Sequence, residues 1–105
     1  VIERRLEAAF EADFVVVLYN PQSKKRRDQI RKAHEIALRY RLPETPAGIV
    51  TAAKRATEKV VVTSLAALLD EEITMQSTVI IGNSTTFVWR GKMITPRGYT
   101  EKYQL

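Results

Sequence analysis

Asp13-Phe14-Val15-Val16-Val17-Leu18-Tyr19-Asn20-Pro21 is the stretch on which the fold turns. An unbroken apolar run from Phe14 to Leu18, bounded by polar residues, reads as a strand buried on both faces inside a helix-covered sheet. Pro21 removes a backbone donor and biases Asn20 away from the α region, so the chain turns there. Ligands of open α/β sheets collect beyond the carboxyl ends of such strands, which makes Tyr19 and Asn20 the first candidate site residues.

Working outward, residues 1–12 place Ile2, Leu6, Ala9 and Phe10 at helical spacing, an amphipathic helix leading into the strand. Downstream, Ser23 is a good N-cap for a long helix over 24–41, free of glycine and proline. Its residues Ile30, Ala33, Ala37 and Tyr40 are expected to face the sheet, with Ile36 and Leu38 at the margins. Lys24, Lys25, Arg26 and Arg27 crowd its first turn, against the macrodipole, as a solvated face or an anion-binding patch. His34, alone on the helix flank, reads as a surface residue. Pro43 and Pro46 end the helix.

Further strands are expected over 47–52, 59–63 and 78–82, with a short helix over 65–69 capped by Ser64. The end of the 78–82 strand, at Gly82-Asn83, is a second candidate ligand edge. Gly91 suits a tight hairpin turn between 87–90 and 92–95.

The 105-residue chain suits one domain, with ordinary apolar and charged fractions of 45% and 28%. It has no cysteine and one histidine, so thiolate chemistry is excluded and no metal site is expected. Without an apolar stretch of membrane-spanning length or a signal-like start, it reads as cytoplasmic, with no membrane partner. It begins at Val1 inside a helical pattern, which suggests a piece of something longer. No glycine-rich phosphate loop, nucleophile elbow or histidine–carboxylate cluster is present, so no catalytic side chain is expected. The element order matches a split βαβ, ferredoxin-like pattern. With a net charge of +5, that leaves a basic module binding nucleic acid or a small anionic ligand as the alternative reading. It lacks the aromatic platform of single-strand binders.

Four motifs together carry a resemblance: the 13–21 stretch, Thr45-Pro46-Ala47-Gly48-Ile49-Val50, Thr78-Val79-Ile80-Ile81-Gly82-Asn83-Ser84, and Thr95-Pro96-Arg97-Gly98-Tyr99. In order and spacing they resemble the second domain of the precorrin-3B C(17)-methyltransferases, in the tetrapyrrole methylase family of cobalamin biosynthesis. The resemblance implies an α/β fold, a mixed sheet of about five strands with flanking helices. It implies a C-terminal half, 1–105, of a two-domain enzyme whose N-terminal domain is the missing partner. S-adenosyl-L-methionine would sit between the domains, the substrate would be precorrin-3B or a cobalt analogue, and the assembly would be a homodimer without nucleic acid. By position, the resemblance places Tyr19, Asn20, Ala52, Ala53 and Thr78 near the cofactor, and Arg97 and Tyr99 near the tetrapyrrole.

Overall fold

The structure, a computed structural model, describes residues 2–19, 27–52 and 58–96. In chain order the elements are α1 (Ile2–Glu11), β1 (Val16–Tyr19), α2 (Arg27–Tyr40), β2 (Pro46–Thr51), β3 (Lys59–Ser64), a 3₁₀ turn (Leu68–Asp70), β4 (Ser77–Ile81), β5 (Phe87–Trp89) and β6 (Lys92–Ile94).

Helix α1 stops where Asp13 takes a left-handed backbone, φ 63°. The Phe14 N–H reaches back to the Ala9 carbonyl (3.0 Å) and the Asp13 N–H to the Phe10 carbonyl (3.0 Å). Those two bonds form a Schellman end with aspartate where glycine is usual. The chain leaves this cap through Phe14 and Val15, so the strand begins only at Val16.

Strands β1 to β4 form one sheet in the order β1-β4-β2-β3, and every pairing in it is antiparallel. The α/β class holds, but among the described residues the expected mixed sheet of about five strands is a four-stranded antiparallel one. Among the described residues, the remaining strands, β5 and β6, pair only with each other. The split βαβ pattern is corrected as well, because it places the first strand inside the sheet and here β1 is at its edge.

Burial on both faces of β1 is corrected too: only its helix-side face is covered. Val16 is buried, whereas Val17 is 42% and Tyr19 68% exposed. An apolar run does not distinguish a strand covered on both faces from an edge strand with one bare face.

Helices α1 and α2 pack together on one face of the sheet. Between helices and sheet lie Phe10, Val16, Ile30, Ile36, Ala37, Ala47, Ile49, Leu65, Leu68, Val79 and Ile81, one continuous core. On α2 the buried stripe is Ile30, Ala33, Ile36 and Ala37, so Ile36 is central and Tyr40 lies outside it. Arg39 bridges Glu7 and Glu35 at 3.2 Å each, pairs too exposed to contribute much. In place of the expected helix over 65–69, residues 65–67 make a turn into the short 3₁₀ segment; Ser64 Oγ accepts the Ala67 N–H (3.3 Å) within that turn, but the 3₁₀ segment starts after Ala67 without a side-chain cap. Asp70 ends that segment and Glu71 and Glu72 follow it, where the macrodipole of a longer helix would repel them.

The opposite sheet face is met by the β5–β6 hairpin, whose Met93 lies over Gly48. Arg90 and Gly91, with φ 51° and 74°, give the two positive-φ positions a two-residue hairpin loop requires.

Candidate functional site

Antiparallel register brings three sequence-predicted residues to one end of the sheet. Tyr19, last in β1, lies opposite Thr78 of β4, and Thr78 lies opposite Val50 of β2 on its other side. Immediately beyond β2, the Ala52 N–H donates to the Gln76 carbonyl (3.2 Å). The carboxyl ends of β1 and β2 thus flank the start of β4. Residues opposed in a ladder share a face, so Tyr19, Thr78 and Val50 all point away from the helices.

The edge is braced from below by Ser77, which is buried. Its hydroxyl pairs with Thr51 Oγ1 (2.9 Å) and accepts the Thr74 N–H (2.9 Å). The Gln76 N–H in turn donates to Thr74 Oγ1 (3.2 Å), which holds the loop entering β4. What this edge offers a ligand is an exposed phenol ring, a threonine hydroxyl, a small alanine and strand-end backbone. Groups of these kinds can bind and orient a ligand.

Asn20, Ala53, Arg97 and Tyr99 lie outside the described residues, as do Lys24, Lys25 and Arg26 of the basic run. His34 is not the free surface group expected. It is half-buried, and its Nε2 donates to the Leu65 carbonyl (2.6 Å), an acceptor that fixes the proton on that nitrogen. It ties α2 to the chain beyond β3.

The opposite end of the sheet holds a cluster that sequence reasoning missed. Arg41, just past α2, is buried. Its Nη1 donates to the Phe10 carbonyl (2.8 Å), Nη2 to the Phe14 carbonyl (3.0 Å) and Nε to the Gly82 carbonyl (3.2 Å). The guanidinium lies over the Phe10 ring, 5.2 Å from its centroid, and Nη2 is 3.6 Å from Asp13 Oδ1. Asp13 also accepts the Ser84 N–H (2.9 Å) and the Ser84 hydroxyl. These Ser84 bonds, and then the Arg41 charge, hold the Asp13 carboxyl below its ordinary value. The only sequence signal for Arg41 was its place at a helix C-terminus, where cations are favoured. The Gly82-Asn83 edge foreseen as a ligand site is occupied by this cluster.

Among the described residues, no group of three or more His, Cys, Asp or Glu could hold a metal ion, and no helix is long and apolar enough to cross a membrane.

Comparison with known proteins agrees with the resemblance carried by the four motifs. No established family profile matches the chain. A cobalt-factor III methyltransferase of Priestia megaterium is 53% identical over 105 residues, 100% of this chain and 19% of that protein. A probable cobalt-factor III C(17)-methyltransferase of Salmonella typhimurium is 45% identical over 100 residues, 95% of this chain and 42% of that protein. The crystal structure of the methyltransferase CobJ superposes with a TM-score of 0.78 at 28% identity, covering 90% of this chain and 40% of that one. The chain is therefore similar along essentially its whole length to methyltransferases of which it spans less than half. None of these relatives supports the nucleic-acid alternative.

Proposed function

We propose that this chain is the C-terminal domain, residues 1–105, of an S-adenosylmethionine-dependent methyltransferase that acts at C17 of a cobalt-factor III or precorrin-3B type tetrapyrrole, with ring contraction, in cobalamin biosynthesis. The observation that carries the reading is the 53% identity to a cobalt-factor III methyltransferase over the entire chain. The sheet end at Tyr19, Thr78 and Ala52 is then one wall of the cofactor cleft, with Asn20 and Ala53 beside it. The facing wall comes from the N-terminal domain. Arg97 and Tyr99 serve the tetrapyrrole, since a guanidinium pairs with carboxylate side chains in a bidentate fork. A homodimer of the two-domain protein fits the same reading.

The described residues suit an adenosyl group: an exposed aromatic face for a flat base, a small residue at the strand end, and a hydroxyl and backbone groups for polar atoms. When bound, S-adenosylmethionine supplies an electrophilic methyl group. The task of this chain is to orient and to exclude water, because transfer to a ring carbon needs alignment more than a side-chain nucleophile. Tyr19 and Thr78 hold position on a braced sheet edge, and Ala52 keeps the approach open.

Calorimetric titration with S-adenosylmethionine, of the isolated chain beside the chain joined to the N-terminal half of a relative, tests this. Sites of this kind bury ~70–90% of their ligand, so the isolated chain is expected to bind far more weakly than the joined one. Equal affinity would overturn the shared cleft, and no binding by either would overturn the cofactor assignment.

A further inference from the structure

The run from Phe14 to Leu18 leaves the register of β1 weakly specified by its own side chains. A slip of one residue would exchange Val16 and Leu18 for Val15 and Val17 on the helix side, and a slip of two would admit Phe14. All are apolar, so hydrophobic patterning scarcely separates these states. Among the described residues β1 pairs on one side only, so no second neighbour holds it. Yet the place of Tyr19 depends on this register, and a two-residue slip moves it by ~7 Å.

The constraint lies outside the strand. Followed outward from the Val16–Ile81 pair, the ladder brings Phe14 level with Asn83 and Asp13 level with Ser84. Asp13 and Ser84 are bonded there through both the N–H and the hydroxyl of Ser84, and Asn83 Nδ2 donates to the Asp13 carbonyl (3.1 Å). Arg41 then joins the Phe14 carbonyl, before β1, to the Gly82 carbonyl, after β4, with one guanidinium from α2. Directional bonds of this kind discriminate between registers where apolar contacts do not.

We propose that Arg41, with Asp13 and Ser84, is a register lock for β1: a positioning group that selects the Val16–Ile81 pairing and so sets Tyr19 opposite Thr78. Its consequence for the cofactor rests on the proposed function; the register claim does not.

The test is nuclear magnetic resonance on the full chain and its Arg41→Met, Arg41→Lys and Ser84→Ala variants, following β1–β4 cross-strand contacts and amide exchange. For Ser84→Ala, amides of β1 are expected to exchange about tenfold faster relative to those of β2, while β2 and β3 are unchanged. For Arg41→Met, a second set of β1–β4 contacts displaced by one or two residues is expected, with β2–β4 contacts intact, and Arg41→Lys should restore part of the original set. A single wild-type set of contacts in Arg41→Met would overturn the lock. Should that variant unfold altogether, Ser84→Ala decides: selective loosening of β1 supports the lock, and unchanged β1 exchange sinks it. S-adenosylmethionine titration of the same variants joined to an N-terminal half separates the two claims, since a displaced register with unaltered affinity counts against the cofactor reading alone.

Discussion

Asp13 and Ser84 face each other three residues beyond Val16–Ile81, the last rung of the β1–β4 ladder, bonded through both the backbone N–H and the hydroxyl of the serine. Because Asp13 also sits at positive φ and within 3.6 Å of Arg41, one residue closes α1, pins β1 and faces a buried cation.

That arrangement makes stability depend on acid in a defined direction. The folded Asp13 carboxyl titrates below its unfolded value, so its contribution is complete above the ordinary aspartate pKa of ~3.9 and is lost as pH falls through the lower folded value. Urea unfolding midpoints measured from pH 6 down to about pH 2 should fall less steeply in Asp13→Asn than in the parent. Parallel acid limbs would show that Asp13 is not coupled to folding.

Arg41→Met should cost about 2–4 kcal/mol, because three carbonyls lose a charged donor and two of those bonds are buried. Chemical denaturation measures this directly. Arg41→Lys should recover only part of the loss, since a single ammonium cannot span the carbonyls that a planar fork reaches.

Gly48 and Gly82, both buried, should respond differently to alanine. At Gly82 a Cβ would lie 2.7 Å from Thr86 Cβ, and Thr86 is held by bonds to the Asn83 N–H (2.9 Å) and to Thr95 Oγ1 (2.7 Å). Gly82→Ala should therefore destabilise by about 1–3 kcal/mol. At Gly48 the closest atom is Met93 Sδ at 2.9 Å, on a flexible side chain, so Gly48→Ala should cost less than ~1 kcal/mol. Thermal midpoints of the two variants would reverse in order if Met93 were the more rigid neighbour.

The two faces of the sheet also separate Val17 from Val79. Val17→Asp places a charge where solvent reaches it and should change stability by less than ~1 kcal/mol, whereas Val79→Asp buries an unpaired charge in the core and should abolish the cooperative transition. Equal damage from both would mean that β1 is covered after all.

The amino-acid order by itself determined the elements and their class. Apolar runs rich in valine and isoleucine marked β1 to β4, Pro43 closed α2, and Gly91 centred the hairpin, because periodicity and backbone restriction act over a few residues. It also carried the family resemblance and pointed to Tyr19, Ala52 and Thr78, which the register gathers at one sheet end. Only the tertiary structure decided that β1 is an edge strand, that the sheet is antiparallel, and that Arg41 is buried among carbonyls from α1, the approach to β1 and the end of β4. The Arg41 bonds reach partners 27 to 41 residues away and β1 pairs with residues about 60 positions further along the chain, while an apolar run has the same composition whether one of its faces is covered or two.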